Sequence, residues 1–184
     1  MNIGIVSDLH GNLVGWQRAM ELLADCQLLL CPGDLLYHGP RFDPVENYNP
    51  RALAEAINNC GVPIIIARGN ADSEVDSLFV HQPIQSPYAL AVVEGKRFLV
   101  THGHLDPPAK LLELAQTWAI DFLVNGHFHS PHITVHDSLI HLNPGTPTYP
   151  MAEEEALRRP TCARIVNGVP EVLDLLSGDV LQLP

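Results

Sequence analysis

Positive charge is scarce in this chain of 184 residues. Ten Lys and Arg stand against 21 Asp and Glu, a formal net charge of -11. That balance argues against non-specific binding to nucleic acid or to an anionic membrane. It leaves a phosphate-bearing substrate open, because bound cations reverse the sign locally. Cysteine is equally sparse. Cys26, Cys31, Cys60 and Cys162 lack any C-x-x-C spacing and read as buried reduced thiols, with a disulfide or a thiolate metal site as the alternative. No apolar stretch is long enough to span a bilayer, and no basic leader precedes Asp8, so cytoplasmic residence is expected. Charged residues make up only 17% of the chain against 46% hydrophobic, which predicts a filled core within one domain over residues 1–184.

What is present falls into two halves. Ile3 to Val6, Leu28 to Cys31 and Val62 to Ala67 are short apolar runs that read as buried strands. Between them, Leu13 to Leu23 and Arg51 to Asn59 carry helical spacing. Asp34 to Pro50, with three prolines and Gly39, reads as a long ordered loop, a length that usually signals function. The second half is richer in hairpins. Tyr88–Val93 with Arg97–Thr101, His132–His136 with Leu139–Leu142, and Cys162–Val166 with Glu171–Leu176 each flank a turn. Ala109 to Trp118 is predicted helical and Ile120 to Val124 a further strand; Met151 to Pro160 is expected to be a mobile loop. Two mixed β-sheets packed face to face with helices outside, a four-layer α/β sandwich, satisfy this order.

Five short clusters follow the apolar runs: Asp8-Leu9-His10, Gly33-Asp34, Gly69-Asn70, His102-Gly103-His104 and Gly126-His127-Phe128-His129. Strand ends are where open α/β sheets place their sites. Each cluster supplies a carboxylate, an amide oxygen or an imidazole. Alone, each is weak: an Asp after a strand is commonly a helix cap. Five at one sheet edge offer enough O and N donors for two divalent metal ions of the Mn, Fe, Co, Ni or Zn kind, Mn2+ foremost.

The blocks D-x-H, G-D, G-N, H and G-H-x-H occur here in order, and the chain resembles the calcineurin-like metallophosphoesterase superfamily. It is most similar to the small bacterial phosphodiesterase branch. Ser7-Asp8-Leu9-His10-Gly11, Tyr37-His38-Gly39-Pro40-Arg41, the stretch from Asn70 to Asp76, Thr101-His102-Gly103-His104-Leu105 and Asn143-Pro144-Gly145 carry the likeness. The resemblance implies one ion held by Asp8, His10 and His129, another by Asn70, His102 and His127, with Asp34 bridging. Such pairs lie roughly 3.5–4 Å apart, clamp an in-line displacement and share a hydroxide that attacks phosphorus. Two dications, two carboxylates and one hydroxide leave the centre about one unit positive, enough to draw a phosphate into an acidic protein. The implied activity is metal-dependent phosphodiester hydrolysis of a small substrate. The alternative is a non-catalytic protein-binding scaffold of the same fold, like the retromer subunit, and a homo-oligomer is compatible with either.

One position departs from the pattern. The wider family has His after Gly-Asn, whereas here position 71 is Ala, which removes a donor to the leaving group and favours diesters or activated esters. Asn70 and, as a replacement donor, His104 are the catalytic candidates; His104 is otherwise a supporting imidazole. Substrate contacts are expected from Asn12, His38 and Arg41. The alternative for Asn12 is the cap of the first helix, and for Arg41 a brace for its loop. Tyr37 completes a G-D-x-x-Y string like that of purple acid phosphatases, but His10 already fills the place a ligand tyrosine would take.

Overall fold

A computed structural model describes residues 1–183. Among the described residues, three α-helices and eleven strands form. The first half contains β1 (Ile3–Ile5), α1 (Leu13–Leu22), β2 (Leu28–Cys31), α2 (Pro50–Asn58), β3 (Ile64–Ala67) and β4 (Ile84–Gln85). The second contains β5 (Tyr88–Val93), β6 (Lys96–Thr101), α3 (Pro108–Thr117), β7 (Phe122–Asn125), β8 (His132–His136), β9 (Leu139–Asn143), β10 (Thr161–Val166) and β11 (Val169–Asp174). One sheet runs β11-β10-β1-β2-β3-β4 and the other β5-β6-β7-β9-β8. β1 to β4 are mutually parallel, as are β6, β7 and β9, while the hairpin partners run antiparallel.

The layers follow from which side chains each strand buries. Ile3, Ile5, Leu28 and Leu30 of the first sheet meet Phe98, Val100, Phe122, Val124 and Leu142 of the second, forming the core between the sheets. On the opposite face, Leu29, Cys31, Ile64 and Ile66 pack under Trp16 and Ala19 of α1, its C-cap Leu23, and Leu53, Ala54 and Ile57 of α2. Leu99, Leu123 and Leu139 do the same beneath Leu111 and Ala115 of α3. Strands covered on both faces need apolar residues at every position, so these strands read as unbroken runs and not as alternation. The four-layer α/β sandwich expected from the element order is the observed architecture.

All three expected hairpins form. The Asn167-Gly168 turn places both residues at positive φ, 52° and 82°, as a two-residue type I′ connection requires. One strand was missed and one expectation needs correction. β4 escaped notice because two residues carry no periodicity. Residues 151–160, expected to be mobile, instead bury Ala152 and Leu157 around a 3-10 turn at Glu155–Leu157. Asn12 is the N-cap of α1, its Oδ1 accepting from Gly15 N at 2.9 Å. All four cysteines are free thiols, and burial pushes Cys26 up to about 11 and Cys162 up to about 12.

On the second sheet, the imidazoles of β8 and β9 form a polar knot. His141 Nε2 stands 2.8 Å from Asn125 Oδ1, and its ring lies 4.5 Å from that of His132. Asn125 and Asn143 both donate to the Gly126 carbonyl, at 3.0 and 2.9 Å, fixing the turn that leaves β7. Burial, helped by the nearby His132 and His136, drives the His141 pKa down to about 3. The unfolded chain therefore takes a proton near pH 6.5 that the folded chain refuses until about pH 3. The stability owed to neutral His141 is complete above pH 6.5 and is lost as pH falls, by at most about 1.4 kcal/mol per pH unit. The urea midpoint of wild type is expected to fall between pH 7 and pH 5, and His141→Asn to narrow that fall. An equal fall in both proteins contradicts the assignment.

Candidate metal centre

All seven expected ligands lie just past the C-terminal ends of parallel strands. Asp8 and His10 follow β1, Asp34 follows β2, Asn70 follows β3, His102 follows β6, and His127 and His129 follow β7. The two sheets thus contribute to one site at their shared edge. Asp8 Oδ1 lies 3.2 Å from His129 Nε2 and 3.9 Å from His10 Nε2, and the two imidazole Nε2 atoms are 3.2 Å apart. Asp34 Oδ2 stands between the halves, 3.7 Å from His10 Nε2 and 3.3 Å from His102 Nε2. His102 Nε2 is 3.0 Å from Asn70 Oδ1. Asp8, His10 and His129 form one group able to hold a metal ion, and Asp8, Asp34 and His102 another. His127 adds its ring 5.1 Å from that of His102, and its backbone N–H donates to Asp8.

The orientation of the rings decides the chemistry. His10, His102 and His129 each donate Nδ1–H to a backbone carbonyl at 2.8 Å, those of Tyr37, Pro32 and Tyr149 respectively. A neutral imidazole so tied turns a bare Nε2 lone pair inward. The centre is then lined by lone pairs alone: three imidazole nitrogens, two carboxylates and an amide oxygen. Such a set repels itself until a cation enters. In the metal-free protein, protons fill the need in part. Burial opposes a charge on His102, yet its bond to Asp34 and the charges of Asp8 and Asp34 hold its pKa up at about 9. Burial would raise the Asp8 carboxyl, but the His102 charge and the His129 bond outweigh it and bring it down to about 2. The donor set fits hard divalent ions.

Five of the seven residues hold a left-handed backbone: Asp8 (φ 55°), His10 (46°), Asp34 (56°), His127 (71°) and His129 (53°). Each such residue costs about 1–2 kcal/mol, so the surroundings must enforce it. Asp72 is the main brace. Its carboxylate accepts from Asp34 N, Leu35 N and Gly69 N at 2.9, 2.7 and 2.7 Å. Burial pushes its pKa up to about 6 against those three donors. Thr146 and Thr148 clamp the first turn by donating to the Asp8 and Leu9 carbonyls, each at 2.8 Å. Close approach dictates two glycines. A Cβ on Gly69 would run into Asp34, and one on Gly126 into Ser7 and Asp8.

A pocket opens over the centre. Its walls include His10, Asp34, Asn70, His127 and His129 from below, and His38, Arg41 and Phe42 from the loop after β2. His38 and Arg41, the expected substrate contacts, therefore line this pocket. Asn12 does not, because its amide is spent on the helix cap and on the Pro147 carbonyl. His104 is set back from the pocket, its ring 5.2 Å from His102 and its buried Nδ1 without a partner. Tyr37 meets the site only through its carbonyl; its ring lines a neighbouring groove with Tyr48 and Phe79. Sequence reasoning missed Phe42 and Tyr149, whose rings stack 4.2 Å apart beside His129. Neither belongs to a cluster of ligand-type residues, so no local signal marked them.

Comparison with known proteins agrees with this geometry. A family model described as the calcineurin-like phosphoesterase superfamily domain matches residues 1–164. The phosphodiesterase YfcE of Escherichia coli (strain K12) is 40% identical over 185 aligned positions, covering 100% of this chain and 91% of that protein. The solved structure of Yfce, a phosphoesterase from E. coli, superimposes with a TM-score of 0.85 at 32% identity, over 99% of this chain and 97% of that one. Vps29 from Cryptosporidium parvum, at 22% identity and a TM-score of 0.69 over 97% and 93% of the two chains, shares the fold. The chain belongs to the calcineurin-like phosphoesterase superfamily.

Proposed function

We propose that this protein is a metal-dependent phosphodiesterase that hydrolyses small phosphodiesters at the centre described above. The single observation that carries the reading is the inward-facing set of lone pairs, with the His10, His102 and His129 imidazoles each locked by a carbonyl partner. Asp8, His10 and His129 would hold one ion, and Asn70, His102 and His127 the other, with Asp34 shared. The ions, Mn2+ foremost, would polarise the phosphoryl oxygens and lower the pKa of a water. Arg41 and His38 bind and orient the substrate phosphate at the pocket mouth, the guanidinium being suited to pairing with two phosphoryl oxygens. Asn70 acts from the pocket wall. Ala71 lines the same wall, its side chain carries no polar atom, and its backbone N–H donates to Asp34 Oδ1 at 2.8 Å. No side chain at that place protonates a leaving group, and His104 lies one ring further back. Esters whose leaving group departs as a stable anion, such as aryl diesters, are therefore the favoured class.

Three finer statements belong to the same proposal. Three buried thiols without partners support a reducing, cytoplasmic setting for a single-domain protein. No helix among the described residues is long and apolar enough to cross a membrane. Self-association is supported by Leu90 and Val92 on edge strand β5, 59% and 73% exposed. The scaffold reading accounts for the fold but gives no reason to retain the ligand set.

Chelator-treated protein is expected to be inactive on an aryl phosphodiester and to recover with Mn2+, and Asp34→Asn to lose nearly all activity while remaining folded by circular dichroism. Full activity in chelator contradicts the proposal. Gly69→Ala is expected to displace Asp34 and weaken metal affinity by about 10–100-fold, measured by titration calorimetry. Unchanged affinity would mean that Asp34 is not a ligand.

A further inference from the structure

Residues 38–47 carry His38 and Arg41 to the pocket without a helix or strand to support them. Within this stretch His38 Nδ1 faces the Gly39 and Phe42 carbonyls, at 2.6 and 3.0 Å, contacts that close the loop on itself. Among the described residues, the adjoining Tyr48 N donates to the Val45 carbonyl at 2.9 Å, and beyond that backbone bond hydrogen bonding from outside reaches the stretch through one side chain. The Tyr149 hydroxyl donates to the Asp43 carbonyl at 2.8 Å. The same phenol ring stacks on Phe42, with centroids 4.2 Å apart and planes 9° apart. Arg41 in turn rests its guanidinium 5.4 Å from the centroid of the Phe42 ring. At its other end Tyr149 is tied to the metal centre, its carbonyl accepting from His129 Nδ1 at 2.8 Å.

We propose that Tyr149 is a positioning residue for substrate: its phenol latches the 38–43 loop, and with it Arg41 and His38, over the metal centre. The backbone of Tyr149 fixes a ligand imidazole while its side chain fixes the loop that meets the phosphate. A free loop of ten residues samples many arrangements, and each binding event must select the one that presents Arg41. The latch makes that selection beforehand, so its loss weakens substrate binding more than it slows turnover. The inference rests on the proposed phosphodiesterase reading for its kinetic arm alone.

Tyr149→Phe keeps the ring and deletes the hydroxyl. In Mn2+-loaded full-length protein assayed on an aryl phosphodiester, KM is expected to rise about two- to tenfold, the weight of one neutral hydrogen bond. Metal content per chain should stay at the wild-type value and kcat should fall no more than twofold. Tyr149→Leu removes the stacking as well and should raise KM further. A second readout needs no substrate: trypsin should cut the Tyr149→Phe protein after Arg41 several-fold faster than wild type. Unchanged KM with unchanged cleavage overturns the proposal. So does a parallel loss of kcat, metal content and melting temperature, which would make Tyr149 a structural residue only. If wild type itself fails to cleave the diester, the phosphodiesterase reading falls, and trypsin susceptibility alone decides the latch.

Discussion

The site depends on one arrangement: imidazoles that spend their only N–H on the backbone and turn their lone pairs toward carboxylates. His10, His102 and His129 each do so. A cluster with acceptors on every side is unstable by itself, and the 3.2 Å separation of two imidazole nitrogens shows how tightly it is drawn. A proton relieves it partly, and the Asp34 bond with the Asp8 and Asp34 charges holds the His102 pKa up against burial. Divalent cations relieve it fully. The acidity of the whole chain is then no obstacle to an anionic substrate, because the charge that matters is local.

The fold is shaped to impose this arrangement. Two parallel-strand edges meet, each ending in a turn that aims a ligand at the seam. Five of the proposed ligand residues in left-handed conformations represent a cost of several kcal/mol in sum, borne by bonds such as those from Asp34, Leu35 and Gly69 to Asp72. Backbone pairing continues past the strand ends, with Asp8 N, His10 N and Gly11 N donating to Gly33, Asp34 and Leu35. A rigid floor results, while the wall that meets substrate hangs on a loop. Precision is concentrated where ions bind, and adaptability where esters of different shape must enter.

Much of this is legible in the order of residues alone. Ligand-type residues beside glycines, each after an apolar run, mark strand ends directly, because strands covered on both faces leave no room for polar residues until they emerge. The layered fold follows from the same runs and from the turn chemistry of Asn167-Gly168. Contacts made by backbone atoms are not legible: the carbonyls of Pro32, Tyr37 and Tyr149 orient three rings, yet any residue type has a carbonyl. Nor is the choice between two roles for one amide. Asn12 has to cap α1 because Gly15 N needs an acceptor, and that need is visible only in the folded chain. Phe42 and Tyr149 lie far apart in sequence and meet only through the loop. Ala152 and Leu157 anchor a stretch whose charged surface conceals them.

The central claim, that these side chains gather two cations about a shared Asp34, is most directly tested by anomalous scattering from crystals grown with Mn2+. The account requires two peaks, one against Asp8, His10 and His129, the other against Asn70, His102 and His127, with an Asp34 oxygen reaching both. A map with no peak among these residues, or with the ions bound elsewhere, would contradict it.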